Sequence, residues 1–317
     1  MDISTYQKKE IPLHKKTKIS FYRKREIPLH LMLLPGVILL FIFSYLPMAG
    51  IIIAFQRFIP ARGLFGSQQW IGLDNFRFIF SLPTIHYVIR NTLVIAIGKI
   101  ILGMIVPIFF ALLLNEVKNV GFKRCIQTII YFPHFISWVI FGGILIDILS
   151  PSHGMVNVLI TALGFEPIFF LGNPRWFQPT MIISDVWKSF GFGTIIYLAS
   201  VASIDPTLYE ASAVDGAGRF RQTLHITLPG MRMIIVLIMV LNLGNVLNAG
   251  FDQIFNLLNP AVFTTGDIID TMVFRMGILD SQFGPATAVG LFRSLVSMVL
   301  ISTSYYAAYK FFDYRIF

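Results

Sequence analysis

Long apolar runs alternate with short polar interruptions along this chain, and the runs outlast the core helices of a soluble domain. They fall at about 31–55, 91–114, 126–149, 178–201, 231–253 and 285–309. About 20 apolar residues in a helix match the hydrocarbon thickness of a bilayer. Lipid offers no hydrogen bonds, so a spanning segment must satisfy its own backbone, as a helix does. The pattern therefore predicts an all-α membrane protein with six transmembrane helices. Residues 1–30 form a basic leading segment, and residues 31–317 form one membrane domain. Composition agrees: of 317 residues, 56% are hydrophobic and 13% charged, about half the charged share usual in soluble domains.

The formal charge of +9 invites a nucleic-acid reading, but its distribution argues against one. Lys8, Lys9, Lys15, Lys16, Lys18, Arg23, Lys24 and Arg25 all flank the first apolar run. If the N-terminus is cytoplasmic, the inner segments also hold Lys118, Lys123, Arg124, Arg219, Arg221, Arg232, Lys310 and Arg315. The outer segments hold only Arg57, Arg62, Arg77, Arg90, Arg175 and Arg275. Basic residues favour the inside, so both termini are expected in the cytoplasm. The single cysteine, Cys125, excludes a disulfide within the chain. The apolar run after the basic head is too long for a cleavable signal peptide. The pentapeptide Glu10–His14 recurs as Glu26–His30 and is assigned no function.

A polar interruption, Ile204 to Gly230, separates the fourth and fifth runs. Asp205 can cap free backbone N–H groups, Pro206 fits a first helical turn, and Gly216 or Gly218 can end the helix. Pro229 then suits the start of the next apolar helix. The spacing Glu210-Ala211-Ser212, Asp215-Gly216-Ala217, Ile226-x-Leu228-Pro229 closely resembles the "EAA" loop of membrane subunits of ATP-driven importers. Ser212 replaces the family's usual Ala, a small-for-small change. The resemblance also touches Leu34-Pro35-Gly36, the segment Gly72-Leu73-Asp74-Asn75-Phe76 ahead of Asn91-Thr92, the string Tyr131 to Trp138, and Gly244 to Asp252. It thus covers most of the chain, and is closest to importers of oligosaccharides of the maltose and alginate type.

What the resemblance implies is specific. Residues 204–230, between spans 4 and 5, become a cytoplasmic coupling helix and loop seated in a separate ATPase subunit. Glu210 fixes the loop to its own backbone or to the ATPase, with Ala211, Ser212 and Ala217 in the motif beside it. Asp215 and Gly216 shape the turn, and Arg219 and Arg221 meet an acidic partner surface. The expected partners are a second related membrane subunit, two cytoplasmic ATPases, an extracytoplasmic solute-binding protein, the oligosaccharide and the lipid bilayer. The expected location is the bacterial inner membrane. No cofactor is expected in this chain, because ATP and Mg belong to the ATPase subunits.

Polar residues inside the runs are costly, at roughly 2.5–3.5 kcal/mol for a charge at the helix centre on insertion scales. Asp185 and Lys188 are spaced i,i+3 and are expected to neutralise each other. Asn242, Asn245, Asn248 and Asp252 fall within about 120° of arc if residues 231–253 form one helix. That stripe reads either as interhelical hydrogen bonding or as a lining for sugar hydroxyls, with Trp138 and Trp187 stacking on sugar faces. Lys99, Lys188 and Arg293 suggest a path that attracts an acidic, alginate-like sugar. His134, beside Pro133, reads as structural.

Catalysis finds no support. Gly98-Lys99 lacks the upstream Gly and the hydroxyl residue of a nucleotide-binding loop, the His residues are scattered, and no nucleophile elbow is present. The rival expectation is an ion-coupled secondary sugar carrier using Asp185, Asp252 and His134 as relay groups. It accounts for no part of the Glu210 loop.

Overall fold

The computed structural model describes residues 16–64 and 66–312. Lys8, Lys9, Lys15, Arg315 and the first copy of the pentapeptide lie outside them. The chain divides into two units, one up to Ile52 and one from Ile53. In the first, helix α1 (Lys16–Leu40) runs on through a π turn (Phe41–Tyr45) into a 3₁₀ segment (Leu46–Phe55) whose last three residues belong to the second unit. Pro28–Phe55 is long and apolar enough to cross a membrane, at the place the hydropathy pattern predicts.

The second unit opens with a short hairpin, β1 (Gln56–Arg57) against β2 (Gln69–Trp70), antiparallel with Gln56 opposite Trp70. Gln68 closes its loop, donating to Ile59 O (3.0 Å) and Gly63 O (2.9 Å). Helix α2 (Asp74–Ser81) follows, tied back by buried Asn75, which donates to Ala54 O at 2.9 Å. Trp70 stacks on Phe55 and stays 61% exposed, which suits a segment lying at the membrane surface.

Two long helices form the centre of this unit. Helix α3 (Ile85–Glu116) packs along α7 (Pro174–Ala202), burying Ile95, Phe177 and Met181. Asn173 caps α7 and Pro174 takes its first position, so the helix begins four residues before the expected span. At 29 residues it is about 43 Å long, enough to cross a bilayer. Asn91 and Thr92 of α3 pin the chain after residue 256. Asn91 Nδ2 donates to Thr264 O and Asp267 O (both 3.1 Å), and Thr92 Oγ1 accepts from Ile269 N (3.0 Å).

The expected third span, 126–149, is not one straight helix. Helix α4 (Val120–Tyr131) passes through a 3₁₀ turn (Phe132–Phe135) into α5 (Trp138–Ile148), with a bend of 105°. Pro133 has no N–H to continue the ladder, and Ser137 caps the new helix through Ile140 N. The string Tyr131 to Trp138 is therefore a corner. His134 stacks on Phe192 with ring centroids 4.2 Å apart, the structural role expected of it.

The connection between α5 and α7 contains α6 (Met155–Ala162), held by the buried Asn157 amide to Leu149 O, Ser150 O and Ile168 O. After α7 come α8 (Pro206–Val214), α9 (Arg219–Gln222), a π turn (Thr223–Thr227), α10 (Leu228–Gly230) and α11 (Arg232–Gly244). The expected fifth span, 231–253, is also broken. The helix stops at Gly244, turns through 245–250, and restarts as α12 (Phe251–Leu257). Short helices α13 (Phe263–Gly266) and α14 (Ile269–Phe274) lead to α15 (Phe283–Phe312), which packs against α11. Among the described residues three helices are long and apolar enough to span, or up to five if each bent pair counts as one. The long helix α7, with Asp185 and Lys188 in its middle, is not among them.

Candidate functional site: a self-tied loop and an amide-lined cavity

The loop after α7 is built largely from its own residues. Asp205 caps α8 by accepting from Thr207 N at 2.9 Å, and that bond holds its carboxyl below the usual range. Pro206 occupies the first turn. The far end closes with Asp215 N, Gly216 N and Ala217 N donating to the carbonyls of Ala211, Ala213 and Ser212. Gly216 stands at φ +77°, a conformation that costs a side-chain-bearing residue about 1–2 kcal/mol. Asp215 and Gly216 thus form the turn that ends α8.

Gln222 ties α8 to α9, a role that the motif residues themselves did not signal. Its Nε2 donates to Ser212 Oγ (2.9 Å) and Tyr209 O (3.3 Å), while Ser212 Oγ donates to Tyr209 O (2.9 Å). Tyr209 OH lies 3.0 Å from Thr227 Oγ1. The small residue at position 212 therefore carries a hydroxyl that works. Arg219 forms an ion pair with Glu116 at the end of α3, so it meets this chain's own carboxylate, where the resemblance implies an acidic partner surface. Met231 and Ile204 seat the loop on Ala111, Tyr197 and Val201.

Glu210 is exposed, and among the described residues its side chain makes no hydrogen bond or ion pair. It does not fix the loop to its own backbone, so only the expectation of a partner contact remains. Ala211, Asp215 and Arg221 are also exposed, Ala217 is half-buried, and Val214 and Phe220 are 89% and 81% exposed. A loop this well tied that still shows large apolar side chains presents a surface suited to another protein.

The second feature is a cavity of about 320 Å³ lined by Ala96, Lys99, Ile100 and Gly103 of α3, Asp185 and Ser189 of α7, and Asn242, Asn245, Asn248 and Gly250. Three of the four polar residues of the expected stripe meet here, but not as a helical stripe. Asn245 ends α11, Asn248 N donates to Asn245 O (2.8 Å) in the following turn, and Asp252 lies beyond the wall. The 100° periodicity fails because the ladder stops at Gly244.

The expected Asp185–Lys188 pair is replaced by two other arrangements. Asp185 pairs with Lys99 at 3.2 Å. Lys188 donates to His134 O at 2.8 Å and sits 5.4 Å above the Trp138 ring. An i,i+3 spacing makes two side chains neighbours on one helix, but a partner from a facing helix can displace either. Trp138 and Trp187 both pack against Phe141, with centroids 5.5 and 5.1 Å away, and neither lines the cavity. Arg293 pairs with Asp270. The three cations that suggested an acid-attracting path are thus each engaged by a group of this chain.

Comparison with known proteins adds four findings. The family described as "Binding-protein-dependent transport system inner membrane component" matches residues 100–317. Protein LplB of Bacillus subtilis (strain 168) is 43% identical over 281 residues, covering 89% of this chain and 88% of the relative. The polygalacturonan/rhamnogalacturonan transport system permease protein YteP of the same organism is 43% identical over 281 residues, covering 89% and 87%. A chain in the crystal structure of a bacterial ABC transporter involved in the import of the acidic polysaccharide alginate superposes with a TM-score of 0.85 at 37% identity, covering 93% of this chain and 99% of that one.

Proposed function

The chain belongs to the family of binding-protein-dependent transport system inner membrane components, and from that premise we propose that it is one membrane-spanning subunit of an ATP-driven oligosaccharide importer. With a second, related membrane subunit it forms the translocation path, and it is not itself an enzyme. ATP and Mg are bound by two cytoplasmic ATPases, and an extracytoplasmic binding protein delivers the sugar. Delivery by a binding protein is supported by a similar alginate importer crystallised in complex with an alginate pentasaccharide-bound periplasmic protein. In this reading the six apolar runs cross the bacterial inner membrane with both termini in the cytoplasm, two of them bent.

The observation that carries the reading is the loop 204–230, internally tied yet exposing Glu210, Val214 and Phe220. Seated in an ATPase, α8 transmits closure of the ATPase pair as rigid-body rotation of the bundle, switching the path between inward-open and outward-open. Asn242, Asn245, Asn248, Asp185 and Ser189 offer sugar hydroxyls both donors and acceptors in that path. An acidic oligosaccharide is inferred from the relatives' descriptions rather than from unpaired cations in this chain. Transport of acidic and neutral oligosaccharides in unchanged ratio by Lys188→Met would agree with its engagement at the His134 carbonyl. The secondary-carrier alternative lacks support: Asp185 is held in an ion pair and His134 is stacked.

The test is purification of this chain from its native membrane in mild detergent with an ATPase assay of what accompanies it. A stoichiometric ATPase stimulated by a sugar-loaded binding protein is the expected result. A lone chain whose sugar uptake follows a proton or sodium gradient would overturn the reading.

A further inference from the structure

Lys99 lies mid-way along α3 with a side chain 9% exposed, where an unpartnered ammonium would be untenable. It has three N–H donors and three acceptors within reach. Asp185 Oδ1 is 3.2 Å away, Ala249 O is 2.6 Å away, and Gln253 Oε1 makes a third, short contact. Neutralising the charge needs only Asp185. The other two acceptors belong to the break in the fifth span and the helix after it. Ala249 contributes a backbone carbonyl from the stretch where the helical ladder is interrupted, and such a carbonyl inside a membrane requires a donor.

The surrounding residues are fitted to this contact. Gly250 adopts φ +91°, and a Cβ there would stand 2.8 Å from the Lys99 ammonium. Glycine therefore permits both the turn and the approach. Fully buried Gln253 carries the network onward, donating to Met181 O and Ser184 Oγ of α7, each at 2.8 Å. Gly250 N donates in turn to Asn248 Oδ1 at 3.2 Å.

We propose that Lys99 is a positioning residue that holds the unwound 245–250 backbone against α3 and α7 and so sets where Asn245 and Asn248 stand in the cavity. The significance of that placement rests on the reading of the cavity as the sugar path. Lys99 itself need not touch the sugar, since its donors are committed to the protein.

The experiment uses the complete importer in proteoliposomes, with Cys125→Ser and a single reporter Asn245→Cys, labelled by a charged maleimide in the absence of sugar. Lys99→Met is expected to change the labelling rate by about two- to tenfold, the factor that one lost hydrogen bond carries. The double variant Lys99→Met/Asp185→Asn leaves no unpaired carboxylate and is expected to show the same change. Gly250→Ala, which crowds the ammonium, should do likewise, while a reporter at Ser203→Cys labels as before. Uptake with alginate pentasaccharide and its binding protein as the probe should show a KM raised by about the same factor. If the double variant labels and transports like the Lys99 protein, Lys99 serves only to neutralise Asp185 and the proposal falls. If the importer takes up no oligosaccharide, the transport reading fails, while the sugar-free labelling still decides whether Lys99 holds the break.

Discussion

The loop at 204–231 and the break at 245–250 are both departures from regular membrane helix, and they are held in opposite ways. The loop carries most of its own bonds: Asp205 caps it, Gly216 ends it, and Gln222, Ser212, Tyr209 and Thr227 tie its two halves within eighteen residues of sequence. The break has turn bonds of its own, but its anchorage to the neighbouring helices comes from outside. Its principal supports, Lys99 and the α7 atoms reached through Gln253, come from residues about 70 to 150 positions away. A segment bathed in water can close on itself and still offer a face to a partner. A segment inside the membrane has no water to satisfy interrupted backbone, so neighbouring helices must do it.

The comparison can be broken at several points, and the largest effect is expected at Gln253. Replacing it with Ala strips a donor from Met181 O and Ser184 Oγ and an acceptor from Lys99, costing about 3 kcal/mol if the break depends on this external network. Thermal unfolding of the solubilised complex would show it; an unshifted midpoint would mean that the break stands without Gln253. Next comes Glu210→Lys, in which the loop loses nothing internally. The complex should purify in normal yield while uptake falls by about tenfold or more, as for reversal of a charge at an interface. Normal uptake would remove Glu210 from the coupling surface.

Smaller effects test the loop's independence. Gly216→Val forces a β-branched residue into the left-handed region, costing about 1–2 kcal/mol, and should speed amide exchange at residues 214–217 without altering the cavity. Gln222→Ala should cost about 1 kcal/mol and accelerate exchange within α8, again leaving the break untouched. The smallest effect is that of pH on Asp205. Its carboxyl is held below the usual range by Thr207 N–H, so the cap is fully present above the unfolded-state value and is lost as pH falls through the folded one. Exchange at Thr207 and Leu208 should therefore rise only in acid. A rise near neutrality would mean that another group controls this end of α8.

These two regions also mark how far the residues alone could be read. The caps, turn and end of α8 follow from rules that act over a few positions, which is why Asp205, Pro206 and Gly216 announced their roles. Gln222 sits outside the motif, and only its return to Ser212 reveals its use. In the fifth span Asn242, Asn245 and Asn248 line one cavity, but their expected periodicity assumes a helix that Gly244 ends. The third span misled in the same manner: hydropathy registers apolar length and is blind to direction, so a 105° corner at Pro133 reads like a straight crossing.

By itself, then, the sequence determined a multi-pass helical membrane protein, its family and the form of the 204–230 loop, because hydropathy, motif spacing and capping are properties of contiguous residues. Tertiary structure alone decided that Asp185 answers Lys99 instead of Lys188, that Arg219 closes on Glu116, and that two spans bend. Partner choice for a buried charge depends on which side chains a facing helix brings within a few ångströms. No local pattern encodes that distance.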